Sequence, residues 1–348
     1  MNKRILGALA TGAFGLILLV ALYTGVASRR AVEFDSGYRM VMGTFSRALV
    51  LAPSERTAQQ CAEAALNQQR RIEALMSYHM GDSELNKVNR QAFKEPVQVS
   101  PETFEVLERA KYFSELSDGA FDITIGALGD LWRRAGAADA PPTEAEIAQA
   151  RSRVGHEKLL LDPNTHTVRF AVEGMKLDLG GIAKGYAIDQ SVEVVKQRGA
   201  LGGMIDIGGD VLCFGTPRQG KDGWVIGLQD PTVAPDDMAT NKLLLKLKVT
   251  DAAVTTSGDY RRFIEIQGEK QSHIMDATSG KGANKLVSVT IIAPDATTAD
   301  ALATAVSVLG LEKGLALIER IPDTEAILIP NQQNPEPVFS TGARAFVE

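Results

Sequence analysis

The spacing of apolar and polar positions predicts strands and helices in the first third of the chain. Between residues 38 and 52 apolar side chains alternate loosely, which predicts either a pair of strands or one long bent strand, interrupted at Gly43. Apolar residues recur at helical spacing over 54–75. A second helix is predicted over 101–116, since Ser100 is a good N-cap and Pro101 suits the first helical position.

The remainder of the chain mixes the two kinds of pattern. Its predicted elements are a hairpin over 158–171, a helix over 189–198 that ends at Gly199, a strand-rich region over 200–292 and a helix over 298–309 that ends at Gly310. Because strands and helices do not alternate regularly, the pattern predicts an α+β fold rather than a doubly wound parallel sheet.

The N-terminal 30 residues have the pattern of an export signal. Lys3 and Arg4 precede an apolar run over 5–26, and Arg29 and Arg30 follow it. The run is long enough to span a bilayer, so we expect an uncleaved inner-membrane anchor, with a cleaved signal peptide as the alternative. Residues 31–348 would then form an exported body on the periplasmic side of the bacterial inner membrane.

Composition narrows the class of protein. The chain has 348 residues, a formal net charge of -6 and a pI near 5.5. This balance argues against a nucleic-acid-binding platform, which would present a basic surface. The two cysteines, Cys61 and Cys213, have no metal-like spacing, and we expect free thiols.

The stretch "MKLDLGGIAKGYAID" is the first that suggests chemistry. Residues 175–179 predict a short strand, and Gly180 and Gly181 permit a tight turn into a helix. Amides at that helix start, together with Lys184 in its first turn, suit an anion, and the turn could instead coordinate a cation through carbonyls. A plain turn with a solvated lysine explains the same residues.

The stretch "TTADALATAVSVLG" suggests a cation site. With Thr298 as N-cap, Asp300 falls in the first turn and Thr304 lies four residues later on the same face. A carboxylate and a hydroxyl at that spacing can hold a hard cation. An acidic residue that stabilises a helix N-terminus would explain Asp300 but not Thr304.

Two further stretches carry candidate residues. His273 lies between a strand-like run and a turn, and histidine suits proton transfer near neutral pH, although a lone histidine is more often structural. The glycines in "SDGAFDITIGALGDLW", residues 117–132, indicate a loop held close to a ligand, and a plain glycine-rich connection is the alternative.

Taken in order, these stretches resemble the ApbE family, the FAD:protein FMN transferases. The resemblance extends from Met42 to about Gly342 and includes "SYHMGDSELNKVN", "DGAFD", "LDLGGIAKGYAID", "DIGGD", "TSGDYRRF", "SHIMDATSG" and "DALATA". It implies an α+β, mixed-sheet fold with packed helices, bound FAD and Mg²⁺. It also implies transfer of the FMN moiety of FAD to a threonine or serine hydroxyl of a target flavoprotein, with release of AMP.

The resemblance also implies roles for individual residues. Asp300, Thr304 and the carbonyl of Gly181 would hold the metal, and His273 would act as base for the incoming hydroxyl. The residues that would contact FAD are Met42, Tyr78, Ala120, Phe121, Asp122, Asp178, Lys184 and Ile274. In "DIGGD", Asp210 is a further contributor, whereas Asp206 would repel a diphosphate and is expected to point away or to support the metal.

Two other activities are compatible with the same residues. One is a Mg²⁺-dependent FAD pyrophosphatase that yields FMN and AMP, and the other is a non-catalytic FAD-binding protein. The implied partner is a target flavoprotein subunit, as found in membrane electron-transport complexes, and no nucleic acid is expected.

Overall fold

A computed structural model describes residues 31–217, 222–231, 242–258 and 263–348. The predicted N-terminal anchor, residues 5–26 of the 1–30 segment, lies outside the described residues. Within them, no helix combines the length and apolar character needed to cross a bilayer.

Eight α-helices are formed by the described residues. They are Glu55–Met76 (α1), Glu84–Gln91 (α2), Pro101–Leu116 (α3), Gly126–Ala138 (α4), Glu144–Arg151 (α5), Ala183–Gln197 (α6), Ala296–Leu309 (α7) and Leu311–Ile318 (α8). Two short 3₁₀ turns, His156–Lys158 and Ala343–Phe346, complete the helical structure.

Sixteen strands accompany these helices. They are Val32–Asp35 (β1), Arg39–Val41 (β2), Thr44–Ala52 (β3), Val97–Gln98 (β4), Leu159–Asp162 (β5), Thr167–Phe170 (β6), Gly202–Ile207 (β7), Asp210–Phe214 (β8), Trp224–Gln229 (β9), Leu243–Val249 (β10), Ala252–Gly258 (β11), Phe263–Ile266 (β12), Glu269–Ser272 (β13), Leu286–Ala293 (β14), Glu325–Pro330 (β15) and Val338–Phe339 (β16).

Nine of the strands form the main sheet. Its order is β1-β3-β7-β8-β11-β14-β15-β16, with β2 beside β1 on the outer side of β3. The other strands form the pairs β9–β10 and β12–β13 and the three-stranded sheet β4-β6-β5. The α+β class is confirmed.

The expectation of a mixed sheet is wrong. Every strand pair within the described residues is antiparallel. Tight hairpins explain several of these pairs, because a two-residue turn can join only antiparallel strands. In "DIGGD", Gly208 and Gly209 both have positive φ, 69° and 93°, as the two-residue turn between β7 and β8 requires.

The predicted starts of α1 and α3 agree closely with the structure, whereas α6 begins at Ala183, six residues before the predicted start at 189. Ser54 accepts a hydrogen bond from the amide of Thr57 and caps α1, and Ser100 caps α3 through the amide of Thr103. Glu84, at the start of α2, accepts hydrogen bonds from the amide and the hydroxyl of Ser100 and from the hydroxyl of Thr103. The predicted hairpin corresponds to β5 and β6.

The main core lies between the large sheet and the helices that cover one of its faces. Helices α1, α6 and α7 pack there, and α6 contacts both of the others. A smaller apolar cluster lies against the opposite face and includes Trp224 of β9 and Leu247 of β10.

Helices α6 and α7 approach most closely at Gly185. A Cβ atom at that position would lie 2.2 Å from the backbone carbonyl oxygen of Ala296. Beside this contact, Asp189 of α6 accepts hydrogen bonds from the amides of Ala296, at 2.7 Å, and of Thr297, at 2.9 Å. One helix therefore holds the N-terminus of the other through a side-chain carboxylate that accepts main-chain amides.

Replacing Gly185 with alanine is expected to destabilise the protein. Alanine favours a helix by about 1 kcal/mol over glycine, but its methyl group would overlap the Ala296 carbonyl, so we expect a net loss of about 3 kcal/mol in unfolding free energy. Urea denaturation of Gly185→Ala measures this loss. The control is Gly81→Ala, where no atom lies within 4 Å of the new methyl group. Equal stability of the two variants would contradict the close contact.

The two cysteines are free and buried, as predicted. Burial raises the pKa of the Cys213 thiol to about 12 and also raises the pKa of Cys61. Because the thiolate is the reactive form, we expect neither to react with Ellman's reagent at pH 8 in the folded protein, and both to react in denaturant. Rapid labelling of the folded protein would contradict this arrangement.

Candidate functional site

The glycine turn follows an extended segment that is not a strand. The predicted strand over 175–179 makes only an isolated bridge, between Lys176 and Ile125. Its main chain is bonded to a loop and to a side chain of helix α2 instead of to a neighbouring strand. The amide of Asp178 donates to the carbonyl of Ile123 at 2.7 Å, and Leu177 exchanges two hydrogen bonds with the side chain of Asn89. These contacts fix the entry to the turn.

Lys184 lies between two buried carboxylates. Its ammonium contacts the carboxylate of Asp210 directly and lies 3.6 Å from Oδ1 of Asp300. Both acidic residues are only 2% exposed. The other oxygens accept amide hydrogen bonds, from Gly185 to Asp300 at 3.0 Å and from Thr256 to Asp210 at 3.3 Å. The lysine predicted as a solvated or ligand-contacting group is thus also the counter-ion of this pair.

Gly181 and Thr304 are in close contact, although they lie on different elements. A Cβ atom at Gly181 would come within 2.7 Å of Thr304 Oγ1 and 3.3 Å of the Phe121 ring. Thr304 Oγ1 makes no hydrogen bond to another described residue. Asp300 lies one turn before Thr304 on the same helix, so the main chain of Gly181 with its carbonyl, the free hydroxyl of Thr304 and the carboxylate of Asp300 lie in one region.

This donor set fits a hard cation. Oxygen ligands of these three kinds are those that Mg²⁺ and Ca²⁺ prefer. The described residues contain no cluster of three or more His, Cys, Asp or Glu side chains. A cation here would consequently need the carbonyl and the hydroxyl in addition to carboxylate.

Helix α7, which carries Asp300 and Thr304, begins earlier than predicted. Asp295, not Thr298, is its N-cap, because the Asp295 carboxylate accepts the amide of Thr298 at 2.9 Å. Arg109 of α3 pairs with Asp295 at 2.7 Å and fixes it in place. Asp300 therefore lies beyond the first turn, yet its four-residue spacing from Thr304 is unchanged.

Tyr78 and Asp178 are brought together by a residue that the sequence did not single out. The guanidinium of Arg133 lies 4.7 Å from the centre of the Tyr78 ring, and its Nη1 lies 3.8 Å from Asp178 Oδ2. Asp130 pairs with the same guanidinium at 2.7 Å. Burial and the Asp130 carboxylate raise the pKa of Tyr78. The spacing of Asp130 and Arg133, three residues on a helix, is the signal that could have identified them.

The predicted glycine-rich loop is shorter than expected. Helix α4 begins at Gly126, so only residues 117–125 are irregular. Phe121 is buried beside Gly181 and meets Phe113 edge-to-face at 6.3 Å. The carboxylate of Asp122 accepts the amides of Thr124 and His156 at 2.7 and 2.9 Å, which holds the loop closed. Burial raises the pKa of Asp122.

Ala120 and Ile274 pack against each other in a small apolar cluster with Ala283 and Val308. His273, which precedes Ile274, is exposed at the surface. A cleft of about 600 Å³ opens beside Ala120, and its lining includes the basic side chains of Lys285, Lys313 and Arg320. Asp118 and Asp276 line the same cleft, so its lining carries both signs of charge with an excess of one basic group.

Met42 lies in the turn between β2 and β3, where its φ of 53° is left-handed. This turn contacts the β7–β8 turn, since a Cβ atom at Gly208 would lie 3.0 Å from Thr44 Oγ1. Within the second hairpin, Asp206 and Asp210 occupy opposite faces of the sheet, because Asp210 is opposite Ile207 in the strand register. Asp206 therefore points away from Lys184. This is one of the two orientations expected for it, the other being a position that supports the metal.

Comparisons with known proteins identify the family of the chain. The model of the ApbE family matches residues 42–328. The FAD:protein FMN transferase of Treponema pallidum is 35% identical over 332 residues, which cover 90% of each chain. The crystal structure of the ApbE protein from Thermotoga maritima has a TM-score of 0.80 at 32% identity and covers 92% of this chain and all of its own. The flavin transferase ApbE from Vibrio cholerae has a TM-score of 0.75 at 27% identity and covers 91% of this chain and 99% of its own. The resemblance of the motifs is thereby confirmed, and the chain belongs to the ApbE family.

Proposed function

We propose that the protein is an FAD:protein FMN transferase that attaches the FMN moiety of FAD to a threonine or serine hydroxyl of a target flavoprotein and releases AMP. Its relatives carry that name, and membership of the family makes the chain a transferase, as predicted. The observation that carries the proposal is the convergence of Lys184, Asp300, Thr304 and Gly181 at one turn.

Magnesium would be held by the Asp300 carboxylate, the Thr304 hydroxyl and the Gly181 carbonyl. When bound, the ion supplies positive charge to the pyrophosphate of FAD and so stabilises the charge that develops during transfer. The lack of a protein partner for Thr304 Oγ1 within the described residues supports this assignment. The amide of Gly185 holds one oxygen of Asp300 and orients the other.

FAD would be bound by residues from several elements around this turn. Lys184 and Asp178 border the glycine turn, and the Tyr78 ring offers an aromatic surface on which Arg133 already lies. Met42, the 120–122 loop and Ile274 complete the proposed contacts. A flat ring system suits an aromatic and apolar lining of this kind.

The chemical step needs a nucleophile, a leaving group and a base. The hydroxyl oxygen of the target would attack the phosphorus of the FMN moiety while the bond from that phosphorus to the bridging oxygen breaks, and AMP departs with that oxygen. His273 would accept the hydroxyl proton. Its exposed position supports this role, because a protein substrate must reach the base from outside.

The setting is also part of the proposal. Residues 5–26 would anchor the chain in the inner membrane, and the body would lie on its periplasmic side. The partner would be a flavoprotein subunit of a membrane electron-transport complex. If water replaced the target hydroxyl, the same site would act as an FAD pyrophosphatase.

Replacing Asp300 with asparagine is expected to abolish flavin transfer. The variant keeps the shape of the side chain but removes the charge that would hold Mg²⁺. The measurement incubates the full chain with FAD, Mg²⁺ and a target flavoprotein domain, and follows flavin fluorescence on the target in a denaturing gel. Asp222→Asn is the matched control, since its carboxylate is exposed and, among the residues that the structure describes, pairs only with Lys248.

Each outcome of this assay has a defined meaning. Fluorescent target with the unaltered chain and the control, but not with Asp300→Asn, supports the proposal. Full transfer by Asp300→Asn would overturn the assigned metal site. Free FMN without labelled target would indicate the pyrophosphatase, and FAD that binds without either product would indicate a binding protein.

A methyl group at Gly181 is expected to weaken Mg²⁺ binding. The new atom would lie 2.7 Å from Thr304 Oγ1 and displace this hydroxyl, so we expect Gly181→Ala to need roughly tenfold more Mg²⁺ for the same occupancy, equivalent to about 1.4 kcal/mol. Isothermal titration with Mg²⁺ and FAD measures the affinity independently of turnover. Gly180→Ala is the control, because only the Asp178 carboxylate, at 3.2 Å, lies near its methyl group. Equal affinities in the two variants would argue against the assigned ligands.

A further inference from the structure

Three large apolar side chains form a contiguous exposed surface on the β2–β3 hairpin. Tyr38 is 59% exposed, Met40 63% and Phe45 59%. Met40 and Phe45 are directly opposite each other in the strand register, and the Tyr38 and Phe45 rings meet edge-to-face at 6.2 Å. We refer to these three residues as the edge patch.

The edge patch is a separate feature from the core of the protein. On the same two strands, Val41 and Ser46 point to the opposite face and are buried. The guanidinium of Arg47 lies 5.6 Å from the centre of the Tyr38 ring and pairs with Asp35 at 2.6 Å, so the ring is supported from one side. Adjoining apolar side chains that are held in place but left exposed mark interaction surfaces in soluble domains.

The patch lies at an open margin of the main sheet. Strands β1 and β2 follow one another along the outer side of β3, and β2 pairs with no other described strand. Arg39, between Tyr38 and Met40, is also exposed. It is opposite Ser46 in the strand register and so points to the other face of the hairpin, which leaves the edge patch itself apolar.

The apolar run that precedes the sheet in the chain indicates which kind of partner the edge patch contacts. The apolar run over 5–26 ends five residues before Ala31, where the described body begins. Five residues span at most about 18 Å when fully extended. If this run crosses a bilayer, the start of β1 lies within about 18 Å of its surface. The edge patch is seven residues farther along β3 in the strand register, and it reaches the same surface when the outer side of β3 lies along the bilayer.

We propose that the edge patch rests on the surface of the lipid bilayer that holds residues 5–26, an inference that relies on the proposed anchor. Tyrosine is favoured at the membrane–water interface because its ring is apolar and its hydroxyl remains hydrated. Met40 and Phe45 supply apolar area beside it. Arg29 and Arg30 of the preceding segment match the negative charge of anionic headgroups.

This contact sets the orientation of the candidate site. Met42 lies two residues beyond Met40, about 7 Å along the strand direction. Its turn contacts the β7–β8 turn, whose Asp210 binds Lys184. Contact of the edge patch with lipid therefore holds the part of the site formed by the β2–β3 and β7–β8 turns near the membrane surface. A membrane-bound flavoprotein would present its hydroxyl group at that surface.

The test measures the surroundings of residue 40 in the full-length chain. Met40→Cys, labelled with the fluorophore NBD, is reconstituted into vesicles of phosphatidylethanolamine and phosphatidylglycerol with or without doxyl-labelled lipid. The native cysteines are buried and leave the added thiol as the site of labelling. Tyr112→Cys is the matched control, since Tyr112 is 58% exposed on α3. We expect the emission maximum of the label at residue 40 to shift to shorter wavelength, and doxyl-labelled lipid to quench most of that emission. The label at residue 112 is expected to keep the emission spectrum it has in water.

The outcomes separate the edge patch from the proposed activity. If the chain stays with the vesicles but the label at residue 40 behaves as in water, or shifts only after a target flavoprotein is added, the lipid contact is overturned. If the chain does not stay with the vesicles, the proposed anchor and the proposed lipid contact are both contradicted. Flavin transfer by the same preparations in detergent tests the enzymatic proposal independently of either result.

Discussion

The arrangement of the site depends on the contact between α6 and α7. Gly185 lets the two helices approach until a side chain would no longer fit, and Asp189 binds the first amides of α7. As a result Lys184, at the start of one helix, and Asp300, on the second turn of the other, face each other although 116 residues separate them in the chain. The glycine turn and the metal-ligand candidates are positioned by main-chain packing, not by their own side chains.

The same contact allows two carboxylates to be buried near each other. An isolated charge in the interior is costly, and like charges repel strongly where water is excluded. Lys184 lies against Asp210 and near Asp300, and amides occupy their remaining oxygens. Strand alternation excludes Asp206 from this cluster by turning it to the opposite face. The hairpin therefore contributes one acidic group to the site instead of two.

Local patterns allowed much of this to be predicted. A helix cap such as Ser100 acts over a few residues, so the sequence was sufficient to place it. The predictions of a strand at 175–179 and of a cap at Thr298 were wrong because residues distant in the chain determine the local structure. Asn89 forms the main-chain hydrogen bonds of the first segment that a neighbouring strand would otherwise form, and Arg109 pairs with Asp295, which caps the helix in place of Thr298. Strand direction and the stacking of Arg133 on Tyr78 also arise only when distant segments meet. The candidate site residues were identified mainly from the order of the motifs along the chain, through the resemblance to the ApbE family.

The pairing of β3 with β7 has a consequence for how the protein is made. These neighbours in the sheet are about 150 residues apart in the chain, and α1 to α6 lie between them. A ribosome adding roughly 5–20 residues per second needs about 10–30 s to produce that interval. Throughout this time β3 exists without its inner neighbour, and closing so long a loop is slow. Completion of the central sheet is therefore a late event in biogenesis, and the newborn chain exposes an unpaired strand during much of its synthesis.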